Sequence, residues 1–125
     1  MFYSTKLTFR MHRDKNMNFE EYQKIVKKTS IYPNQGDNVA YVTLGLAGEA
    51  GEVADKVKKL IRDFNGVLTE DKRKEMIKEL GDVLWYLTAC ASELGVDLEE
   101  VASQNAKKVE DRQVRGVISG EGDNR

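Results

Sequence analysis

The chain has 125 residues, of which 20 are basic and 21 acidic, and its formal net charge is −1. This length fits one domain with a hydrophobic core of its own. The balanced charge argues against a nucleic acid polymer or a membrane surface as the partner, and no apolar run approaches the ~18 residues of a membrane span, so we expect a cytoplasmic protein without a signal peptide.

Four helices are predicted between an irregular arm over residues 1–17 and a glycine-rich tail over residues 116–125. N-cap residues mark three helix starts, because Asn18, Thr69 and Asp97 each precede a helical pattern with acidic residues in its first turn. The predicted helices cover about residues 19–29, 38–64, 70–94 and 98–115. Residues 18–115 are therefore expected to form an all-α, four-helix bundle-like domain. The tail is expected to be either disordered or a flap that orders on a ligand.

Two residue types narrow the choice of site. Cys90, the only cysteine, excludes an intrachain disulfide, and its apolar helical surroundings predict a buried core thiol. His12, the only histidine, lies in the basic N-terminal segment and is expected at the surface. With no second histidine, the sequence argues against a zinc site and against a di-iron site built on Glu-x-x-His pairs.

Two acidic pairs stand out in the second and third helices. Glu49 and Glu52 are three residues apart, as are Glu79 and Asp82, and residues three apart share a helix face. The pairs lie at matched distances on either side of the predicted turn at Gly66, so an antiparallel hairpin brings them level, roughly 20 Å from the turn. Four carboxylates at one depth predict a site for a hard cation.

The apolar stripes of these helices sharpen that prediction. The stripes comprise Val42, Leu46, Val53, Val57, Leu60 and Phe64 in the second helix, and Met76, Leu80, Val83, Leu87 and Leu94 in the third. Glu49 and Glu79 fall within these stripes, where a purely structural hairpin would carry leucine. Unpaired buried carboxylates cost several kcal/mol, and a divalent cation removes that cost. The alternative is an ordinary solvated helix face, since one-third of the chain is charged.

A row of glycines lies beside the acidic pairs. Gly45, Gly48 and Gly51 each weaken the second helix by up to about 1 kcal/mol relative to alanine. They either permit close helix packing or leave room for a ligand or a metal-bound water, and we favour the second interpretation.

One face of the fourth helix is apolar in its first half and polar in its second half. The polar part carries Asn105, Lys108 and Arg112, at steps of three and four residues. Lysine and arginine at this spacing suit phosphate oxygens. The alternative is a helix end that leaves the core, with basic residues complementing the helix dipole. Opposite a carboxylate site we favour phosphate binding.

The segments LGLAGEAGEVADKVKKLIRD and ELGDVLWYL, with an ending that carries Asn105, Lys108, Arg112 and GDNR, resemble the MazG-like nucleotide pyrophosphohydrolase family of the all-α NTP pyrophosphatase superfamily. That family's signature is Glu-Glu-x-x-Glu followed by Glu-x-x-Asp. Gly48 replaces the first glutamate of the doublet, and the four carboxylates are otherwise present. The resemblance covers about residues 20 to 125.

The resemblance implies cleavage of nucleoside triphosphates to monophosphate and pyrophosphate, in nucleotide-pool house-cleaning. It implies Mg²⁺, with Mn²⁺ as a substitute, held by Glu49, Glu52, Glu79 and Asp82, with Glu52 as the base. Lys108 and Arg112 would neutralise the polyphosphate, Asn105 would orient it or the sugar, and Trp85 would stack on a base unless it belongs to the core. A homodimer or dimer of dimers is also implied. The alternatives are a related hydrolase of dUTP, dCTP or phosphoribosyl-ATP, and a non-catalytic nucleotide-sensing helical dimer.

Overall fold

The computed structural model describes residues 14–123, which form four α-helices and no strand. They are α1 (Phe19–Thr29), α2 (Val39–Phe64), α3 (Glu70–Glu93) and α4 (Leu98–Val114). This confirms the all-α prediction. His12 and the arm up to residue 13 lie outside the described residues. None of the four helices has the length and apolar character that crossing a membrane would require.

The helices begin where side-chain caps are available. Asn18 accepts from the backbone N–H of Glu21, Asn38 from Tyr41, Thr69 from Lys72 and Asp97 from Glu100. Each cap satisfies a backbone donor that the first helical turn leaves free.

The turn between α2 and α3 is made by Asn65 and Gly66. Asn65 adopts a left-handed conformation with φ of 50°, and Gly66 follows with φ of 73°. The N–H of Gly66 donates to the carbonyl of Leu60 at 3.0 Å, which closes the last turn of α2. The chain then reverses, so that α2 and α3 pack side by side.

This antiparallel hairpin is the largest helix contact of the fold. Near the turn, Lys72 Nζ lies 5.2 Å from the centre of the Phe64 ring. Further away, Lys56 Nζ of α2 lies 3.8 Å from Glu75 of α3. Residues that contact each other across the hairpin therefore lie at similar distances from the turn. The two acidic pairs come level only if α2 and α3 are aligned in this way. α1 and α4 pack on α3, whereas no Cα atom of α4 lies within 8 Å of a Cα atom of α2.

The main core cluster lies at the end of the hairpin remote from the turn. Its buried members come from α1, the following loop, α2 and α3, and they are Val26, Tyr32, Val42 and Ala89. Three partly buried aromatic side chains and one cysteine pack against them: Tyr22, Trp85, Tyr86 and Cys90. Cys90 is half-buried rather than fully buried as predicted. Desolvation nevertheless raises the pKa of its thiol, as expected for a cysteine beside a core.

The apolar stripes are covered less completely than predicted. Val42 and Leu60 are buried, but Leu80 is 53% exposed and Leu94 67% exposed, and Phe64 is also largely exposed. The stripes therefore include side chains that the described residues leave partly exposed. The period of three and four residues identifies a helix face, but it does not say how much of that face the same chain covers.

Candidate metal centre

Three of the four predicted carboxylates meet between α2 and α3. Glu49 projects from α2, and Glu79 and Asp82 project from successive turns of α3. Each offers a carboxylate oxygen, and these three oxygens all lie within 4.8 Å of one another. Glu49 and Glu79 are half-buried and Asp82 is exposed, so the cluster opens to solvent on one side.

The carboxylates of the cluster repel one another, which affects the pKa of Glu49. Partial burial raises the pKa of the Glu49 carboxyl, and the negative charges of Asp82, Glu79 and Glu52 raise it further. A raised pKa means that the ionised form of Glu49 is disfavoured where it stands. A cation among these oxygens would reverse that effect, because it favours the ionised form.

Glu52 lies outside the group of three. It is exposed on α2, one turn after Glu49, although its charge reaches Glu49. A spacing of three residues leaves two side chains about 60° apart around a helix, because each residue turns by about 100°. Glu49 therefore faces α3 while Glu52 stands at the rim of the cluster.

Lys56 is a partner that the sequence interpretation missed. Its Nζ lies 3.4 Å from Glu79 Oε1, and its side chain is 30% exposed. The ion pair supplies one positive charge next to three negative ones. The sequence did contain a signal, because Lys56 is seven residues after Glu49 and residues at that interval share a helix face.

A cavity of about 270 Å³ adjoins the carboxylates and is lined by Glu49, Asp82, Trp85 and Tyr86. Trp85 also belongs to the packed interior, since its indole N–H donates to Thr29 Oγ1 at 2.9 Å. Its ring meets Tyr86 edge to face, with 4.9 Å between the ring centres. Trp85 is thus both a core side chain and one wall of the cavity, and these two interpretations do not exclude each other.

The glycine row has two different environments. A Cβ at Gly45 would overlap the ring of Tyr86, so at this position glycine permits close helix packing. A Cβ at Gly48 or Gly51 would meet no atom of the described chain within 4 Å. The packing interpretation therefore applies to Gly45 and not to Gly48 or Gly51. Room for a ligand or a metal-bound water at Gly48 and Gly51 stays a prediction.

The predicted phosphate-binding residues lie elsewhere on the chain. Asn105 and Lys108 line a separate groove of about 540 Å³ between the end of α3 and α4. Arg112, one turn after Lys108, is only 7% exposed. The cavity at the carboxylates has a different lining and includes neither Asn105 nor Lys108.

Arg112 has a partner that the sequence interpretation also missed. Its Nη2 donates to the backbone oxygen of Asp123 at 2.7 Å and to the side-chain oxygen Oδ1 at 3.1 Å. Lys108 Nζ lies 3.5 Å from the same Oδ1. Hydrogen bonding to Arg112, with the charge of Lys108, lowers the pKa of the Asp123 carboxyl. No periodic pattern in the tail signalled this contact.

The fold and the acidic cluster define an all-helical protein with a centre whose oxygen ligands suit a hard divalent cation. Residues 38–116 match the model of the MazG nucleotide pyrophosphohydrolase domain. The Gene 37 protein of Mycobacterium phage L5 is 47% identical over 114 residues, which cover 87% of this chain and 100% of that protein. No solved structure matches the chain. The chain therefore belongs to the MazG nucleotide pyrophosphohydrolase family.

Proposed function

We propose that this protein is a metal-dependent nucleoside triphosphate pyrophosphohydrolase, which cleaves NTPs or dNTPs to the monophosphate and pyrophosphate. The observation that carries the proposal is the meeting of carboxylate oxygens from Glu49, Glu79 and Asp82 within 4.8 Å, in a chain of a pyrophosphohydrolase family. A triphosphate is a polyanion, and it approaches such a cluster only if positive charge is supplied there. We therefore assign the cluster to Mg²⁺, with Mn²⁺ as a substitute.

Glu49, Glu79 and Asp82 would hold the metal, and Glu52 would complete the set or act beside it. Bound there, Mg²⁺ supplies positive charge that neutralises phosphate oxygens and stabilises the charge developing in the transition state. The raised pKa of Glu49 supports this assignment. The carboxylates repel one another, and a bound cation would relieve that repulsion.

Glu52 is our candidate for the general base. It is exposed at the rim, outside the group of three, so its oxygens remain free to accept a proton. In the proposed step, Glu52 takes a proton from the attacking water while the water oxygen bonds to phosphorus in line with the leaving oxygen. The phosphoanhydride bond between the α- and β-phosphates then breaks, and the products leave as monophosphate and pyrophosphate.

Lys108 and Arg112 are assigned to the polyphosphate, and Asn105 to the sugar or a phosphate. Guanidinium and ammonium groups pair with phosphate oxygens through charge-assisted hydrogen bonds. Trp85 forms a wall of the cavity beside Glu49 and Asp82, which supports stacking on a nucleobase.

We further propose a homodimer, or a dimer of dimers, in which a second copy brings its α4 face to the carboxylates. Asn105 and Lys108 line a groove separate from the cavity at Glu49 and Asp82, and such an arrangement would bring the two together. Apolar side chains on the hairpin support it, because Leu44 is 74% exposed and Ile61 58%. Exposed apolar surface of this kind is typical of an interface. Sedimentation equilibrium tests the proposal, and a monomer at micromolar concentration would contradict it.

Charge-matched variants test the site assignment. Glu79→Gln should abolish Mg²⁺-dependent pyrophosphate release, because it removes a carboxylate of the cluster. Glu75→Gln is the control, since Glu75 lies one turn earlier on α3 and shares the partner Lys56 but is not in the group of three. It should keep near-normal turnover. Equal activities of the two variants, with both folded, would contradict the assignment.

A further inference from the structure

The C-terminal tail folds back onto the basic face of α4. α4 ends at Val114. Gly116, with a φ of 69°, then turns the chain, and the N–H of Val117 donates to the carbonyl of Arg112 at 2.9 Å. Asp123 then reaches Arg112 through two oxygens and Lys108 through one. A carboxylate of this chain therefore occupies the two cations that stand one helical turn apart.

The two side chains of the Arg112–Asp123 contact differ in how far they are buried. The Arg112 side chain is 9% exposed, whereas the Asp123 side chain is 82% exposed. Arg112 Nε is buried and finds no hydrogen-bond acceptor within residues 14–123. A buried donor without a partner destabilises the folded chain, whereas an ion pair with an exposed carboxylate stabilises it little. Asp123 thus leaves the guanidinium only partly satisfied, and holds it weakly.

The unpaired N–H of Arg112 Nε indicates which ligand would bind Arg112 better than the Asp123 carboxylate does. A guanidinium presents a planar fork of N–H groups that pairs with two oxygens of one anion. A phosphate group offers oxygens for both Nε and Nη2, and a second phosphate in the same chain can reach Lys108. A polyphosphate therefore matches the pair of cations better than a single carboxylate does. Because Asp123 already holds Nη2 through two oxygens, that ligand can take the Nε and Nη2 side of the guanidinium only if Asp123 leaves it.

We propose that Arg112 and Lys108 form a polyphosphate site that Asp123 closes in the free protein, and that a polyphosphate displaces Asp123 and releases residues 118–123 from α4. The proposal deepens the assigned function, since it rests on the polyphosphate role of Lys108 and Arg112. It makes the tail an internal competitor for the substrate's phosphates.

The test is calorimetric titration of inorganic tripolyphosphate into the full chain in EDTA, where no metal contributes. Asp123→Asn keeps the size of the side chain and removes the competing charge. It should tighten binding by roughly two- to fivefold, the range that an exposed ion pair supports. Glu121→Gln removes the same charge two residues away and should show a smaller gain than Asp123→Asn. Equal affinities for the two variants, or no binding by either, would overturn the proposal.

Hydrogen exchange gives a second readout. Tripolyphosphate should speed amide exchange in residues 118–123 of the wild-type chain, and should do so less in Asp123→Asn, where the tail has lost its ion pairs with Arg112 and Lys108. Slower exchange in the wild-type tail would overturn displacement, because it would mean that the tail closes over the anion. Neither measurement depends on turnover. If the chain hydrolyses nucleotides while Asp123→Asn behaves like Glu121→Gln, only the tail proposal fails. If tripolyphosphate displaces the tail but no nucleotide is hydrolysed, only the assigned activity fails.

Discussion

Replacing Glu49 by glutamine should stabilise the metal-free protein and remove its response to Mg²⁺. The variant keeps the shape of the side chain and removes one of three negative charges whose oxygens lie within 4.8 Å of one another. At this distance each pair repels by about 1 kcal/mol at the permittivity of water and by about 3 kcal/mol at an effective value of 20. Asp82 is exposed and Lys56 offsets part of the Glu79 charge, so we expect a net gain of about 1–2 kcal/mol.

The assay is thermal unfolding at one fixed protein concentration, in EDTA and in saturating Mg²⁺. For a domain of this size a gain of 1 kcal/mol raises Tm by roughly 3–6 °C. In Mg²⁺ the wild type should gain about 2.7 kcal/mol at a hundredfold excess over Kd, and the variant much less, so the order of stability should reverse. Glu52→Gln is the control on the same helix, and it should stabilise the metal-free chain less because Glu52 lies outside the group of three. A Glu49→Gln variant that is destabilised in EDTA, or that responds to Mg²⁺ as the wild type does, would refute the reasoning.

The same variant predicts a pH dependence. The folded-state pKa of Glu49 is raised, so the folded wild-type chain holds this proton more tightly than the unfolded chain does. The cost of ionising Glu49 is therefore fully present above its folded pKa and disappears as the pH falls below its unfolded value of about 4.3. The stability advantage of Glu49→Gln in EDTA should shrink on acidification across this window. An advantage that grows towards low pH would contradict the cause given for the shift.

Three further predictions concern the proton transfer, the helix packing and the loop before α2. Glu52→Gln should remove turnover while leaving Mg²⁺ binding measurable by calorimetry, since we assign Glu52 to proton transfer; full activity would exclude it as the base. Gly45→Ala should destabilise the chain by about 1–3 kcal/mol through overlap with Tyr86, whereas Gly51→Ala, where a Cβ meets open space, should not; equal denaturation midpoints would contradict the packing account. Glu93→Gln should lower Tm by several degrees, because the Glu93 carboxylate accepts three hydrogen bonds from the loop before α2; an unchanged Tm would show that these bonds contribute little.

The helices and their register follow from local rules that a sequence displays directly. Asn18, Thr69 and Asp97 are caps in the structure because a short polar side chain before a helix satisfies a free backbone donor whatever the rest of the fold does. The turn at Gly66 fixes the depth of residues on both sides, which is why Glu49 could be expected opposite α3.

Other features depend on neighbours that no local pattern specifies. Leu80 follows the helical period as well as Val83 does, yet it is 53% exposed, because no residue among 14–123 covers it fully. Glu52 and Glu49 look equivalent in the motif, but the direction in which each side chain points depends on where α3 packs. Asp123 lies in an aperiodic tail, so its contact with Arg112 arises only when the chain turns back after α4.

Product analysis by ³¹P NMR tests the central claim most directly. The wild-type chain is incubated with each of the common NTPs and dNTPs, in Mg²⁺ and in EDTA, and the phosphorus-containing products are identified. The account predicts equal amounts of nucleoside monophosphate and pyrophosphate in Mg²⁺ and no products in EDTA. Release of nucleoside diphosphate and orthophosphate, or unchanged hydrolysis in EDTA, would contradict it.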